Sequence, residues 1–572
     1  MIEELNIRIT GEAGQGMNTI GSVISRIFTE AGFYIFSHLD YMSRIRGGNN
    51  YYQIRVSKYP IECPREKIDI LIPLTAEALK LQKGSINEDG LTVVDRERFK
   101  VEDCSNFFCI NFYELANEAG DNDIYINSVC TGILAALTGI KLNIVHEVIS
   151  RIFANKGDEV VKKNLKSAEL GFNDALEKST SDRFKLPESQ KSPKYLLNGK
   201  QAISLGAISA GCKFYSAYPM SPSTGVMETV AKYSDKHGII VEQAEDEIAA
   251  VNMVIGASAC GVRSMVSTSG GGFALMSEGI SLAGMTETPL VVGNLQRPGP
   301  ATGFPTRTEQ ADINLVLGAG HGEFAKVIYS PGTIEESFYL TKKAFNLSEK
   351  YQIPVIILSD QFLADSTRNI NKFEFDKEGI ERDYVTTQKS QKEKEYKRYH
   401  LTSSGISPRA IFSMINDAVY IDSDEHTEEG HITEDGKIRT AMVNKRFHKK
   451  MKALIKEFLE PNVYNIKEAD ILFFCFGSVY GVLRESLKQI NNKRLAMIHL
   501  PQIYPLDPDK ILALSENAKE IFTVENNAEG QLAKLLRRET GLKVDKSILQ
   551  YDGRPFTLDD LKRQITDIIK NN

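Results

Sequence analysis

The sequence predicts a multidomain α/β protein, because apolar strand-like runs alternate with helical patterns over most of its length. Six such runs follow one another, at 213–217, 239–243, 264–268, 290–295, 325–329 and 354–359. That rhythm is typical of a doubly wound parallel sheet. A chain of 572 residues is also too long for one hydrophobic core, so we expect three or four domains.

Composition and charge are those of an ordinary globular protein, with 42% hydrophobic residues, 25% charged residues and a net charge of −6. An acidic chain with scattered basic residues is not expected to bind nucleic acid. The local basic run Lys445–Lys456 is interpreted as a solvated helix face. No signal-peptide pattern opens the chain, and the apolar stretch Val129–Ile140 is too short to span a membrane, so we expect a cytoplasmic protein.

The cysteines favour a reducing compartment. Seven are spread singly, at 63, 104, 109, 130, 212, 260 and 475, and no C-x-x-C pair occurs. A chain of this size needs no disulfide framework. Iron–sulfur clusters are normally held by four grouped thiolates, so we expect none in this chain and no other bound metal.

Residues 1–185 are predicted to form one α/β domain. Leu5–Thr10 alternates as a strand, Gly11–Gly16 forms a turn, and Met17–Gly32 is an amphipathic helix. The glycine turn could hold a phosphate at the helix start or be a bare tight turn. Tyr41–Asn50, with its Gly-Gly pair, could likewise bind an anion or connect a hairpin. Further elements are expected as strands at Tyr51–Ser57, Ile68–Leu74 and Leu91–Asp95 and as a helix at Asn127–Thr138.

The rest of the chain is divided by two polar segments. Residues 186–195 lie in a Pro- and Ser-containing linker, after which a helix at Gly199–Ala210 opens the second domain, 196–370. Residues 371–455 form a polar connecting segment. Its acidic stretch 422–435, with His426 and His431, is interpreted as a solvated or partner-facing loop rather than a metal site, whose ligand spacing it lacks. A smaller α/β domain, 456–572, follows, with strands expected at Ile471–Phe476, Leu495–Leu500 and Glu520–Val524 and helices at Gly481–Gln489, Pro508–Ala513 and Gln531–Thr540.

Three phrases carry the chemistry: Tyr218–Thr224, Glu242–Glu247 and Gln296–Gln310. Each follows an apolar run of strand character. If those runs are parallel strands, all three phrases lie at the carboxyl ends of one sheet, where open α/β folds bind their ligands. The phrases offer a hydroxyl, a carboxyl and a guanidinium group, a combination that suits a small anionic carbonyl compound.

These phrases, with Thr-Ser-Gly-Gly-Gly-Phe at 268–273, resemble the α subunit of the 2-oxoacid:ferredoxin oxidoreductases. The N-terminal glycine turn and Arg-Ile-Arg-Gly-Gly at 44–48 resemble that family's γ domain, here fused ahead of α. Gly430–Asp435 and Glu525–Leu532 are similar to the 2-oxoglutarate-type α subunits. The resemblance implies that 1–185 is a γ domain, 196–370 the pyrimidine-binding half of a thiamine site, and 456–572 a transketolase-C-like domain.

The resemblance implies oxidative decarboxylation of a 2-oxoacid on thiamine diphosphate. Electrons would pass through a [4Fe-4S] cluster to ferredoxin, and coenzyme A would leave as acyl-CoA. The chain has no Gly-Asp-Gly triplet to start a magnesium motif and no cysteine quartet. The diphosphate half, Mg²⁺ and the cluster are therefore expected in a separate β subunit, in an (αβ)₂ assembly. We expect the chain alone to be catalytically incomplete.

The resemblance also assigns residues. Glu245 matches the family's glutamate that bonds the ring nitrogen N1′ of thiamine. The other acidic residues of this phrase, Glu242, Asp246 and Glu247, are interpreted as ordinary helix N-terminal acidity. Arg297 matches the arginine that binds the substrate carboxylate, for which a guanidinium fork is suited.

The remaining assignments concern the choice of substrate. Thr306 matches a hydroxyl residue near the substrate, and Arg307 is taken as structural. Ser221 stands where the family usually has threonine; Met220 and Gly271 are further departures, for isoleucine and proline. We expect 2-oxoglutarate as substrate, with pyruvate or a branched or aryl 2-oxoacid as alternatives. A non-catalytic scaffold that binds CoA or a nucleotide is the remaining alternative, against which the joint presence of the matched residues speaks.

Overall fold

The computed structural model divides into two compact units. One comprises Met1–Leu197, Asp365–Lys372 and Thr557–Asn572, and the other Asn198–Ala364 and Phe373–Phe556. The division into five segments made from the sequence remains a prediction. The structure describes residues 3–42, 47–102, 104, 107–120, 122–179, 181–189, 193–377, 379–382, 384–386, 395–412 and 414–571.

The first unit is built on a mixed sheet. Its central strand Glu4–Ala13 pairs antiparallel with Gly47–Ser57 and parallel with Ile68–Pro73. The predicted strands of this region are confirmed. The central strand runs to Ala13, so the predicted glycine turn is shorter than expected and comprises residues 14–16 before the helix Met17–Glu30. Over the described residues the strands lie in the order Phe108–Ile110, Ile86–Asp95, Ile68–Pro73, Glu4–Ala13, Gly47–Ser57, Tyr34–Asp40, Thr367–Ile370 and Tyr195–Asn198.

Helices bury the faces of this sheet. They are Met17–Glu30, Ala76–Gln82, Phe112–Gly120, Ile126–Thr138, Leu142–Phe153, Asp158–Lys178 and Leu558–Asn571, with short 3₁₀ turns at Lys83–Ser85, Asp123–Tyr125 and Ala154–Lys156. The apolar helix Ile126–Thr138 is buried along nearly its whole length. It packs closely on Asp158–Lys178 because Gly132 and Gly171 bring each backbone against the other helix, where a Cβ would collide with a carbonyl group.

Two features of this unit bear on the predictions. The expectation that the chain needs no disulfide framework meets one exception, a disulfide between Cys104 and Cys109 with a Cα–Cα distance of 6.1 Å. The two cysteines are separated by five positions in the sequence. Arg44 and Arg46 of the predicted Gly-Gly hairpin lie outside the described residues, although the strands Tyr34–Asp40 and Gly47–Ser57 beside them pair antiparallel.

The second unit contains the predicted doubly wound sheet. All six predicted strands are present within two residues of their expected bounds, and they pair in parallel. A seventh strand, Gln502–Tyr504, adds to one edge in antiparallel orientation. The described strands lie in the order Gln502–Tyr504, Val327–Tyr329, Pro354–Asp360, Leu290–Gln296, Ser264–Thr268, Phe214–Ala217 and Ile240–Gln243.

The helices of this unit begin at recognisable caps. Asn198 and Gln201 form a reciprocal capping box at the start of Gly199–Ser209, which confirms the predicted helix. Thr333 caps Ile334–Tyr351, and Asp435 caps Gly436–Val443. The helices around the seven-stranded sheet are Gly199–Ser209, Thr224–His237, Glu247–Ala259, Gly270–Leu275, Ser277–Met285, Ile313–Gly318, Ile334–Tyr351 and Gln361–Asp365.

A smaller parallel sheet follows the connecting segment and confirms the predicted C-terminal strands. Its described strands lie in the order Asn462–Tyr464, Leu495–His499, Ile471–Cys475, Glu520–Glu525 and Lys546–Leu549, with Asn462–Tyr464 antiparallel. Its helices are Val479–Ile490, Pro508–Ser515 and Gln531–Thr540. Ile498 and Leu500 share one hydrophobic core with Val292 and Leu358 of the larger sheet.

The connecting segment is less solvated than predicted. It contains a short pair of strands, Val385–Thr386 and Arg409–Ala410, and the helices Gly436–Val443, Asn444–Lys449 (a π-helical turn) and Lys450–Lys456. The interpretation of its basic run as a solvated face is wrong for Lys445 and Lys450, which are 0% and 1% exposed and both bind the buried carboxylate of Glu287. A charge can be buried in this way only when it is paired. Lys449, Lys452 and Lys456 of the same run are exposed, as predicted.

The acidic stretch 422–435 is partly buried as well. His426 packs on the ring of Tyr399, and its Nδ1 lies 2.8 Å from the carbonyl of Asp424. His431 lies on the surface, 3.0 Å from Glu395. The prediction of a solvated or partner-facing loop is therefore wrong for His426, which is buried within this chain.

In the part of the chain that the structure describes, no helix is both long enough and apolar enough to cross a membrane.

Candidate functional site

The predicted site phrases meet at one edge of the seven-stranded sheet. The strands before them, Phe214–Ala217, Ile240–Gln243 and Leu290–Gln296, run parallel, with Ser264–Thr268 between the first and the last. Their carboxyl ends therefore lie on the same side, as the sequence predicted. Parallel sheets of this kind bind ligands there.

A buried carboxyl group lies at this edge. Glu247, the first residue of the helix Glu247–Ala259, is 3% exposed, and its Oε1 has no hydrogen-bond partner among the described residues. Burial raises the pKa of Glu247, and the neighbouring Asp246 carboxyl adds to the rise. A buried polar atom without a partner is costly, so such an atom in a native fold calls for an explanation.

The glycine run after Ser264–Thr268 makes room for this carboxyl group. At Gly272 a Cβ would collide with Oε1 of Glu247 and with the hydroxyl of Thr268. The Thr268 hydroxyl in turn lies 3.8 Å from the sulfur of Met220. The glycine run therefore lies against the Glu247 side chain, and Thr268 connects it to Met220 of the Tyr218–Thr224 phrase.

The other acidic residues of the phrase have different surroundings. Asp246 is the helix cap, and its Oδ1 accepts from the backbone N–H of Ala249 at 2.7 Å, which confirms the interpretation of Asp246 as helix N-terminal acidity. Glu242 and Glu245 are exposed. A carboxyl group that bonds the ring nitrogen of a buried cofactor should itself be buried. Glu247 therefore fits this role better than Glu245 does.

The structure brings two of the other predicted residues together. Arg297 Nη1 donates to the backbone carbonyl of Ser221 at 2.6 Å, which joins the Gln296–Gln310 phrase to the Tyr218–Thr224 phrase. The described residues provide no carboxylate partner for this guanidinium. Ser221 is exposed and Thr306 is half-buried in the same loop as Arg297.

A second carboxyl group, that of Asp312, lies beside the glycine run of the site. Asp312 Oδ2 accepts from Asn294 Nδ2 at 3.1 Å, and a Cβ at Gly270 would lie 2.5 Å from the same oxygen. Burial raises the pKa of Asp312 to about 6, and the hydrogen bond from Asn294 opposes this rise. The Asp312 carboxyl thus lies close against Gly270, at the start of the glycine run that accommodates Glu247.

These residues fit the pyrimidine end of thiamine diphosphate. The cofactor, when bound, supplies a carbon nucleophile whose deprotonation depends on a carboxyl group at the ring nitrogen N1′. Glu247 offers such a carboxyl, already desolvated and with one oxygen unpaired. Arg297 offers a cation to an acidic substrate, and Ser221 a hydroxyl.

The sequence contained a signal for Glu247 that the residue-by-residue matching passed over. The buried positions of its helix recur at helical spacing, and Glu247 is in phase with them: 247, 250, 251, 254, 255 and 258. Glu245 lies before the helix and outside this stripe. An acidic residue on the apolar face of a helix indicates a special environment.

Two family models match the chain. Residues 205–445 match "Pyruvate flavodoxin/ferredoxin oxidoreductase, thiamine diP-bdg", and residues 6–173 match "Pyruvate ferredoxin/flavodoxin oxidoreductase". The first match contains the site described above.

A relative and a solved structure each match nearly the whole chain, and a second relative matches more than half of it. A 2-oxoacid:ferredoxin oxidoreductase subunit alpha from Sulfolobus sp is 32% identical over 98% of this chain and 96% of its own. The 2-oxoglutarate synthase subunit KorA of Methanocaldococcus jannaschii is 33% identical over 58% of this chain and 88% of its own. A solved 2-oxoglutarate:ferredoxin oxidoreductase from Magnetococcus marinus superposes with a TM-score of 0.92 at 31% identity, covering 99% of this chain and all of that one. The chain therefore belongs to the α subunits of the 2-oxoacid:ferredoxin oxidoreductase family.

Proposed function

We propose that the chain is the γα fusion subunit of an enzyme that converts a 2-oxoacid and coenzyme A to acyl-CoA and CO₂, with two electrons passing to ferredoxin. The observation that carries this proposal is the buried Glu247 carboxyl with an unpaired oxygen, at the sheet edge where Ser221 and Arg297 also lie. A scaffold without catalysis has no need to keep such a group, because burying it costs stability.

Glu247 is proposed to bind the N1′ nitrogen of thiamine diphosphate, the role that sequence matching gave to Glu245. A carboxyl with a raised pKa holds its proton near neutral pH more readily than an exposed one, so it can share that proton with a ring nitrogen. The exposed Glu245 remains the sequence-based alternative.

Arg297 is proposed to bind the substrate carboxylate. Its guanidinium is only half-buried, and the one described partner is the carbonyl of Ser221, so donors remain for an incoming acid. Thr306 and the Ser221 hydroxyl would complete the polar lining, and Ser221 would tune the choice of acid.

The proposed substrate is 2-oxoglutarate. Two observations on relatives support it: the KorA proteins are named as 2-oxoglutarate synthase subunits, and the Magnetococcus marinus enzyme was solved with 2-oxoglutarate, coenzyme A and succinyl-CoA bound. For coenzyme A we propose the N-terminal region 1–185, where a glycine turn, residues 14–16, precedes the helix Met17–Glu30.

A β subunit is the proposed partner, carrying the diphosphate half of the site, Mg²⁺ and the [4Fe-4S] cluster, in an (αβ)₂ assembly that reduces ferredoxin. Exposed apolar side chains in the site phrases, or within two residues of them or of the glycine run 268–273, support a protein partner at this edge. Tyr218, Ile248, Leu275 and Phe304 are each between 40% and 56% exposed. Large apolar side chains grouped at a site are typical of an interface.

The test is to produce the chain with its β subunit and assay the purified complex with a panel of 2-oxoacids. We expect a brown complex that reduces ferredoxin or a viologen dye with 2-oxoglutarate, only when CoA and thiamine diphosphate are present. Preference for pyruvate, a branched acid or an aryl acid would correct the substrate alone. A colourless complex that binds no thiamine diphosphate and reduces nothing would contradict the proposal.

A further inference from the structure

Gln310 ends the segment that carries Arg297 and Thr306, and it is completely buried. Its backbone N–H donates to the carbonyl of Asn526 at 2.7 Å, and its side-chain oxygen accepts from the Asn526 N–H at 3.4 Å. Its Nε2 donates to Asp360 Oδ2 at 3.0 Å and to the carbonyl of Phe476 at 3.2 Å. Both ends of the side chain and the backbone are therefore held.

The partners of Gln310 come from three different strand ends. Asp360 ends the strand Pro354–Asp360 of the larger sheet, whereas Phe476 and Asn526 follow the strands Ile471–Cys475 and Glu520–Glu525 of the smaller one. One side chain thus ties the site loop to two sheets. The smaller sheet contributes no residue to the site itself.

Space for this contact is built into the fold. Gly477 has a φ of +56°, and a Cβ there would lie 2.5 Å from Gln310 Nε2. Its neighbour Ser478 donates its N–H to the same Asp360 oxygen that Gln310 binds, at 3.2 Å. Asn527 Nδ2 donates to the carbonyl of Gln310 at 3.2 Å and is itself held by Glu525 Oε2 at 2.9 Å.

A second clamp lies just after Gln310. Gln531 Nε2 donates to the carbonyl of Ala311 at 2.8 Å, and its Oε1 accepts from the N–H of Asn314 at 3.1 Å. The Glu525–Leu532 motif, which the proposed chemistry does not use, therefore holds the end of the site segment at two consecutive points.

The middle of the segment, residues 299–304, is exposed. At one end of this loop Gln296 is held by Ser359 and Asp312. At the other end Thr308 is held as well as Gln310: its N–H donates to the carbonyl of Gly553 at 3.3 Å, and its hydroxyl accepts from the N–H of Phe362 at 3.2 Å. Anchors on both sides of the exposed loop therefore contribute to the positions of Arg297 and Thr306. Catalysis is sensitive to such positions, because displacing a binding group by about 1 Å can cost about 100-fold in rate.

We infer that Gln310 is a positioning residue for the 2-oxoacid, through which the C-terminal sheet fixes Thr306 and Arg297. This inference rests on the proposed function. It gives the C-terminal domain a role in substrate binding without a direct contact.

The test compares Gln310→Met with Gln502→Met in the complex with the β subunit. Gln502 is a matched control: it is 2% exposed, and it binds Pro505 and Leu459, away from the site segment. Both variants should lose similar thermal stability. Only Gln310→Met should raise the KM for the 2-oxoacid, by about 10-fold or more, with the KM for CoA and the affinity for thiamine diphosphate unchanged. Gln310→Asn keeps an amide on a shorter side chain, so its KM for the 2-oxoacid is expected to lie between that of the wild type and that of Gln310→Met.

Gln531→Met provides a second route if Gln310→Met does not fold, with the same direction and a smaller rise in KM. A KM for the 2-oxoacid within about twofold of the wild type in the folded variant, or an equal rise in Gln502→Met, would overturn the inference alone. A wild-type complex without turnover on any 2-oxoacid would overturn the proposed function, and this inference with it.

Discussion

Two buried glutamates of this chain have opposite surroundings. Glu287 is 1% exposed and Glu247 is 3% exposed, so both carboxyl groups are withdrawn from water. Glu287 binds the ammonium groups of Lys445 and Lys450, the latter at 2.6 Å. Burial alone would raise the pKa of Glu287, but the two ammonium groups hold it below its ordinary value. Glu247 has no cation and an unpaired oxygen among the described residues, and burial raises its pKa.

The difference teaches how to separate structural from functional charge in this fold. A buried charge whose partners are all present holds structural elements together. Glu287 lies in the turn between the helix Ser277–Met285 and the strand Leu290–Gln296, and it binds this turn to the helices that contain Lys445 and Lys450. A buried charged group without partners in the chain indicates that a ligand provides the partner. Asp312 is intermediate, because its one described partner is the neutral amide of Asn294.

The largest effect on stability is expected at Glu287. Replacing it in Glu287→Gln leaves Lys445 and Lys450 buried without a counter-charge, which typically costs about 3–5 kcal/mol. Burial already lowers the pKa of Lys445 to about 7, so above that pH the folded variant binds fewer protons than the unfolded chain. Its free energy of unfolding should therefore rise with pH between about 7 and 10. Thermal unfolding measured across this pH range checks the prediction, with Glu247→Gln as the control. An equal loss of stability in both variants would contradict the distinction between a paired structural carboxylate and an unpaired one.

Asp312 should destabilise the folded chain at neutral pH. Its pKa of about 6 lies above the ordinary value, so the folded state binds the proton more tightly and loses stability as pH rises from about 4 to 6. Asp312→Asn removes this dependence and should raise the free energy of unfolding at pH 7 by up to about 3 kcal/mol. Glu309, whose pKa burial and Asp312 also raise, titrates nearby, so Glu309→Gln is measured in parallel. An unchanged pH slope in Asp312→Asn would show that this carboxyl is not the titrating group.

Arg297 extends the comparison to a cation without a carboxylate partner. Arg297→Ala in the complex should lower kcat/KM for the 2-oxoacid about 100-fold, because a preorganised donor to the substrate is lost. The folded chain should keep its stability, since the side chain has one described hydrogen bond, to Ser221. Arg307→Ala, in the same loop, is the control and should stay within about threefold in steady-state kinetics. Comparable losses in both variants would mean that the loop, and not the Arg297 charge, was disturbed.

The smallest effect is expected at Ser221. Ser221→Thr keeps the hydroxyl and adds one methyl group, and one such group in a pocket changes discrimination by about 10-fold. We expect the ratio of kcat/KM values to shift toward shorter 2-oxoacids. Competition between 2-oxoglutarate and pyruvate measures this ratio, and an unaltered ratio would remove Ser221 from the determinants of specificity.

Much of the fold could be predicted from the sequence because the strands of the larger sheet recur as short, mostly apolar runs between helical patterns. The six strands of the larger sheet were placed within two residues, and the convergence of the site phrases followed from their parallel order. The family resemblance singled out Arg297 and Ser221; the two lie in contact in the structure, and their roles remain predictions.

What the sequence did not reveal depends on contacts between distant segments. Lys445 and Lys450 look like an ordinary basic run until Glu287, more than 150 residues away, is brought to them. The role proposed for Gln310 depends on its hydrogen bonds to Asn526 and Phe476, which follow strands of the smaller sheet and are more than 160 positions away in the sequence. The burial of Glu247 could have been predicted from the sequence, because helical periodicity places it on the buried face of its helix. Its unpaired oxygen could not, because that depends on the three-dimensional position of Gly272 and its neighbours.

The central claim is that Glu247, buried and unpaired, is the carboxyl that activates the cofactor. Hydrogen–deuterium exchange at C2 of thiamine diphosphate bound to the complex tests it most directly, in the wild type, Glu247→Gln and Glu245→Gln. We predict that Glu247→Gln slows exchange by about 100-fold or more, with cofactor binding and thermal stability retained, while Glu245→Gln exchanges within about threefold of the wild type. Wild-type exchange in Glu247→Gln, together with its loss in Glu245→Gln, would contradict the account and restore the assignment made by sequence matching.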